Sequence, residues 1–104
     1  MGYRDFWPYY VGEHRRSANR LLHFFGTSLA LACGLLGLMA DAWFLAAAPV
    51  AGYGPAWIGH ALIERNRPAT FRHPIMSLIG DIHMYALMWQ GRMGAEAERL
   101  TNRA

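Results

Sequence analysis

Three histidines are spaced so that one simple fold would bring them together. His23 and His60 lie 18 and 19 residues from Asp41, which is the only formal charge in the apolar stretch 21–63. A helical hairpin that turns at Asp41 places both imidazoles at one level, about 27 Å from the turn, close to the thickness of a bilayer's hydrocarbon core. His14 would lie on the same side, a few residues before the first arm. The spacing therefore predicts a three-histidine cluster at one membrane surface.

Histidine donors without thiolates favour a catalytic metal centre. The sequence has no HExxH, no paired cysteines and no CxxCH, so it lacks the familiar soluble zinc and haem-attachment patterns. Three neutral nitrogen donors suit iron, zinc, copper or nickel, and they leave positions open for substrate and oxygen. The predicted ligands are His14, His23 and His60. Whether a further group joins the metal site stays open for His73, Asp81 and His83.

The composition indicates one membrane-embedded domain. Of the 104 residues, 54% are hydrophobic and only 16% are charged, an unusual ratio for a small soluble domain. The charged first twenty residues lack an apolar core, so we expect no cleaved signal peptide. Arginines flank the hairpin on one side, which the positive-inside rule makes cytoplasmic. A basic patch beside a spanning hairpin indicates topology, and we predict no nucleic-acid partner.

The pattern predicts an all-α integral membrane protein with four segments. Residues 5–13 are aromatic and suit the headgroup zone. The hairpin arms are 18–40, with Ser17 as the N-cap, and 42–63. Apolar residues at helical spacing predict a third helix over 75–93, either interfacial or spanning. The tail from Glu96 is expected to be solvated.

Two irregularities affect the predicted cluster. His14 and His23 are nine residues apart and would lie on opposite faces of a continuous helix, so the chain must bend between them. The second arm contains Pro49, Gly52, Gly54 and Pro55. These residues predict a break in that arm and leave open two shorter helices, because irregular backbone at membrane depth usually lines a cavity.

Polar residues near the histidines suggest supporting roles. Asn19 shares a helical face with His23, and can orient a ligand or bind substrate. Glu64 shares a face with His60, and can ligate the metal, act as a base or accept an imidazole proton. A basic rim would draw in an anionic head group, with one arginine holding a carboxylate in bidentate fashion. The rim consists of Arg15, Arg16, Arg65 and Arg67.

Two motifs carry a resemblance to a known family. The segments HRRSANRLLHFFG (14–26) and WIGHALIERNRPATFRHPIMSLIGD (57–81) resemble the small membrane 2-hydroxy fatty acid dioxygenases, typified by a fungal endoplasmic-reticulum enzyme of phytosphingosine breakdown. The combined pattern HxxxxNxxxH plus GHxxxExxxP is specific, and the resemblance spans residues 9–84. The positions that match it are His14, Asn19, His23, His60, Glu64 and Pro68. This chain is shorter than the fungal enzyme, has fewer apolar segments, and departs from the fungal pattern at Asp81 and His83.

The resemblance implies an Fe(II)-dependent dioxygenase that uses O2 to remove one carbon from a long-chain 2-hydroxy fatty acid. The substrate would chelate iron through its carboxylate and hydroxyl, and Glu64 would be a fourth ligand or support the ligands. Two alternatives remain. One is a membrane scaffold that packs through small residues such as Gly34 and Gly37. The other is a proton or metal conduit that uses the same histidines. A homo-oligomer is also left open.

Overall fold

The computed structural model describes residues 2–101. This part of the chain consists of helices joined by short turns, without strands, so the all-α prediction is confirmed. In chain order the α-helices are α1 (Tyr3–Gly12), α2 (Ser17–Met39), α3 (Trp43–Ile58), α4 (Pro74–Trp89) and α5 (Met93–Thr101). A π-helix, Gly59–Glu64, continues α3, and a short 3-10 turn, Ala69–Phe71, precedes α4.

The two longest α-helices form the hairpin that carries the histidines. Asp41 lies in the turn between α2 and α3, where its carboxylate accepts a hydrogen bond of 3.2 Å from the Trp43 N–H. The arms approach closely at Gly26, because a Cβ there would lie 2.6 Å from the carbonyl oxygen of Gly52. Small residues at this crossing therefore let the two backbones touch, which fixes the register of the hairpin.

The second arm is irregular in a different place from the one predicted. Pro49 and Pro55 lie inside α3 without ending it, so the predicted break at these residues is wrong. Each proline removes one backbone donor, and the close packing of α3 on α2 holds the remaining turns. The irregularity begins at Gly59, where the helix widens into the π-helix.

Helices α1, α4 and α5 form a second packed group around an aromatic core. Phe6, Trp7 and Tyr10 of α1 are buried against Met84 of α4. At the edge of this core the Trp7 indole N–H donates a 2.9 Å hydrogen bond to Glu96 of α5. The group fixes α1, and with it the chain segment that leads into His14.

The C-terminal part of the chain differs from the prediction. The third helix ends at Trp89, and Gly91, at φ 69°, turns the chain into α5. The predicted solvated tail from Glu96 is correct for the exposed Glu98 and Arg99 but wrong for Ala97, which α5 buries in the core together with Met93. Met93 and Ala97 are four apart, so they share one helical face.

Large apolar side chains are exposed along α2, α3 and α4. Among residues 2–101, α2 is the one helix long and apolar enough to cross a membrane by length and composition. Its exposed residues include Leu35, Leu38 and Met39. Trp43 and Val50 of α3 and Ile75 of α4 are exposed as well.

Candidate metal centre

Three imidazoles from three different elements meet in the interior. His14 lies in the bend between α1 and α2, His23 in the second turn of α2, and His60 in the π-helix. Their ring centroids are 4.4, 4.6 and 4.9 Å apart, and the rings stand nearly perpendicular to one another. All three residues are buried. One nitrogen from each lies within 4.8 Å of the others, so the predicted cluster is present.

Each imidazole is held by a hydrogen bond from its Nδ1 to an oxygen acceptor. His14 Nδ1 donates to the Tyr10 carbonyl at 2.7 Å, and His23 Nδ1 donates to the Asn19 carbonyl at 2.9 Å. His60 Nδ1 donates to the Asn66 side-chain oxygen at 2.6 Å. A carbonyl oxygen can only accept, so Nδ1 of each neutral ring carries the proton. The lone pair is therefore on Nε2 in all three rings, as in metal-ligating histidines.

The unprotonated nitrogens face one another at a distance that fits a metal ion. The Nε2 atoms of His14 and His23 are 3.0 Å apart, and with both protons on Nδ1 neither atom has a hydrogen to offer. Two nitrogens that bind one metal at right angles, each at about 2.1 Å, lie about 3.0 Å apart. Burial, together with His23 and His60, lowers the pKa of His14 well below its usual value, which favours the neutral, ligating form.

The bend before α2 is fastened by residues on both of its sides. One guanidinium nitrogen of Arg20 donates to the carbonyls of His14 and Arg15, each at 2.8 Å. At the start of α2, the Glu64 carboxylate accepts a 3.0 Å hydrogen bond from the Arg16 N–H. Ser17 is the first helical residue and Arg16 is the N-cap, so the predicted Ser17 cap is wrong. The start of α2 is fastened by Glu64, 48 residues further along the chain.

Glu64 and Asn19 lie beside the cluster and are linked to it by hydrogen bonds. The Asn19 amide donates to Glu64 at 3.3 Å, and the Asn19 carbonyl receives His23 Nδ1. Asn19 is fully buried and packs so closely on the next element that a Cβ at Gly59 would lie 1.9 Å from its Oδ1. Among residues 2–101, the ligand atoms that converge come from the three histidines and not from Glu64.

The end of the π-helix positions the third imidazole. Arg65 adopts a left-handed conformation, with φ 58° and ψ 45°, which reverses the chain. The Asn66 N–H then donates to the His60 carbonyl at 3.0 Å. The Asn66 amide also donates to the Glu13 carbonyl at 3.1 Å. Asn66 therefore joins His60 to the bend that carries His14.

The remaining predicted residues lie in two kinds of position. The four arginines of the basic rim, Arg15, Arg16, Arg65 and Arg67, are exposed, and none lines the histidine cavity. His73 packs edge-on against Phe6. The His83 ring stacks on Trp7 with centroids 3.8 Å apart. Its Nδ1 also forms a 3.0 Å hydrogen bond with the Tyr3 hydroxyl. Both of these histidines belong to the α1–α4 packing.

Two adjoining cavities surround the cluster. The smaller, about 10 Å³, is lined by the three histidines together with Tyr10, Ser77 and Asp81, among others. The larger, about 400 Å³, is mainly apolar and runs between α2, α3 and α4 past Ala30, Leu45 and Leu78. His23, Tyr53, Ala56 and Asp81 line both cavities. The histidine cluster thus adjoins a mainly apolar space.

Several of these positioning residues were not identified from the sequence. Tyr10 is four residues before His14, a spacing that could have suggested the bond to its carbonyl. The Tyr10 hydroxyl donates to Asp81, and burial together with that carboxylate raises the pKa of Tyr10 well above its usual value. Asn66 carries no comparable signal, because the left-handed turn at Arg65 removes any helical period between it and His60.

Comparison with known proteins identifies one family. Residues 1–93 match the family model described as "2-hydroxy-palmitic acid dioxygenase Mpo1-like". No significant match is found among curated proteins or among solved structures.

Proposed function

The chain belongs to the Mpo1-like family, and from this premise we propose that it is an Fe(II)-dependent dioxygenase that shortens long-chain 2-hydroxy fatty acids by one carbon. The observation that carries the proposal is the convergence of one nitrogen from each of His14, His23 and His60 within 4.8 Å, with each ring fixed by an acceptor at Nδ1. Such a donor set, without thiolate or carboxylate, holds a metal and leaves its other positions open.

Bound iron would supply O2 activation and an anchor for the carboxylate and 2-hydroxyl oxygens of the substrate. The residues of the chain do the rest. Tyr10, Asn19 and Asn66 hold the three rings in one orientation. Burial of the histidines keeps bulk water out of the site, which strengthens every polar contact made there. Rigid ligands on packed helices give the precise geometry that such a site requires.

We assign Glu64 and Asn19 to positioning. Glu64 receives the Arg16 N–H and the Asn19 amide, so it ties the start of α2 to the end of the π-helix. Those two elements carry His23 and His60. Loss of Glu64 would therefore change the relative position of two ligands without removing a donor.

The apolar cavity is the proposed site of the acyl chain. It begins at His23 and continues between α2, α3 and α4. Burying one methylene stabilises binding by about 0.8 kcal/mol, so removing four would lose on the order of 3 kcal/mol if the chain is fully sheltered. Short acids such as lactate should then be very poor substrates. The exposed arginines of the basic rim would attract the anionic head group over a longer range.

We further propose that the protein is embedded in a membrane, with the histidine cluster near the cytoplasmic face. The exposed apolar surface of α2 to α4 and the length of α2 support this. The arginines near the cluster support the orientation. Single cysteines at positions 41 and 67, in a Cys33→Ser background, test it by labelling in sealed vesicles. Labelling of both positions from the same side would contradict the proposed topology.

Metal analysis and product analysis test the function. Protein purified anaerobically should hold one iron per chain, and His14→Ala, His23→Ala or His60→Ala should each lose metal and activity. His73→Ala, which changes a half-buried histidine outside the cluster, is the matched control. With Fe(II) and O2, 2-hydroxypalmitate should yield an acid or aldehyde one carbon shorter. Equal turnover of palmitate, or a product of unchanged length, would refute the proposed chemistry.

A further inference from the structure

We propose that Asp81 accepts a hydrogen bond from the 2-hydroxyl of the substrate and thereby selects 2-hydroxy acids over acids that lack a donor at carbon 2. The inference rests on the proposed function and identifies the residue that determines its specificity.

The position of Asp81 is the first argument. It lines both the histidine cavity and the apolar cavity, with His23, Tyr53 and Ala56. A fatty acid with its head group at the histidines and its chain in the apolar cavity must cross this junction close to carbon 2. Of the four residues at the junction, Asp81 alone is a carboxylate, so it is the strongest acceptor available to a hydroxyl there.

Tyr10 fixes one half of that carboxylate. The buried Tyr10 hydroxyl donates to Oδ1 of Asp81, and the Tyr10 ring stacks on His14 with centroids 4.1 Å apart. Asp81 is therefore held in register with one of the metal-binding imidazoles. Within residues 2–101, Tyr10 is the hydrogen-bond donor to this carboxylate, so Oδ2 remains free to accept a further hydrogen bond.

Ser77 gives an independent indication that a polar ligand belongs in the cavity. Its side chain is 2% exposed, and within residues 2–101 its Oγ has no hydrogen-bond partner. It lines the histidine cavity and precedes Asp81 by four residues on α4, so the two side chains share one face. Buried hydroxyls are normally satisfied. The carboxylate of the substrate would receive the Ser77 hydroxyl while the 2-hydroxyl donates to Asp81.

The chemistry predicts a defined order of ligands. 2-Hydroxypalmitate offers a donor at carbon 2, 2-oxopalmitate offers only an acceptor, and palmitate offers neither. A site built to bond a substrate hydroxyl strongly rejects analogues without it, because its polar groups are left unpaired. In Asp81→Asn the amide oxygen can still accept the hydrogen bond from the Tyr10 hydroxyl. The amide N–H then takes the place of Oδ2 and offers a donor to the substrate. That variant should favour the 2-oxo acid.

The test measures binding of the three acids to the detergent-solubilised full chain. The protein is loaded with Zn²⁺ under anaerobic conditions, and tryptophan fluorescence reports binding. The wild-type protein should bind 2-hydroxypalmitate at least tenfold more tightly than 2-oxopalmitate. In Asp81→Asn that ratio should fall by at least tenfold, whereas Asp41→Asn, in the distant hairpin turn, should keep it. Ser77→Ala should weaken the binding of all three acids alike and leave the ratio of the two affinities unchanged.

Tyr10→Phe provides a second route if Asp81→Asn fails to fold. It keeps the ring on His14 and the backbone carbonyl that holds the imidazole, but it releases the carboxylate, so the ratio should fall several-fold with metal content unchanged. A wild-type ratio in either folded variant would overturn the role of Asp81. Failure of the wild-type protein to bind metal or any of the acids would instead refute the proposed function.

Discussion

Replacing Asn66 with alanine should weaken metal binding although Asn66 touches no metal. Its side-chain oxygen accepts a 2.6 Å hydrogen bond from His60 Nδ1, and its amide donates a 3.1 Å hydrogen bond to the Glu13 carbonyl. The variant leaves the buried ring without an acceptor and free to rotate. One net hydrogen bond is worth about 1 kcal/mol, and about 1.4 kcal/mol is a tenfold change in affinity. Loss of a partner behind a metal-ligating histidine typically costs about 10- to 100-fold, so we expect at least a tenfold loss.

The assay is an anaerobic competition of Fe(II) between the protein and a chromophoric chelator. Arg72→Ala, an exposed substitution near the same loop, is the matched control and should keep wild-type affinity. Circular dichroism should show the same helix content in all three proteins. If Asn66→Ala is folded and binds Fe(II) as tightly as the wild-type protein, then Asn66 does not hold the His60 ring. The assignment of His60 Nε2 as a ligand would then lose the support of this hydrogen bond.

Substitutions at Gly59 and at Arg65 test the backbone around the π-helix. Gly59→Ala should destabilise the protein by about 1–3 kcal/mol in denaturant unfolding, because its Cβ would lie 1.9 Å from Asn19 Oδ1. Gly54→Ala, where a Cβ meets nothing within 4 Å, should be neutral or stabilising, and equal losses in both variants would contradict the close contact. Arg65→Gly should keep or raise the melting temperature, since φ is 58° there, whereas Arg65→Val should cost about 1 kcal/mol or more. A valine variant as stable as the glycine variant would argue against the left-handed turn.

The sequence determined the main features of the hairpin and the identity of the cluster. Asp41 is the single charge in a long apolar stretch, so a turn there was predictable from composition alone. Nearly equal spacing from that turn, 18 and 19 residues, was enough to place His23 opposite His60, because helical rise is nearly constant. The need for a bend after His14 followed from the same geometry.

Only the tertiary structure decided how the imidazoles are oriented and what surrounds them. Asn66 reaches His60 across a left-handed turn, and Glu64, after the second arm, reaches the Arg16 N–H at the start of the first arm. Neither contact joins residues at helical spacing, so no periodic pattern in the sequence predicts it. The packing of α4 against α1 likewise brings Asp81 to Tyr10, 71 residues away. Local spacing records the contacts that a helix makes with itself, whereas these contacts depend on the packing of separate helices, and a single sequence carries no direct signal of such packing.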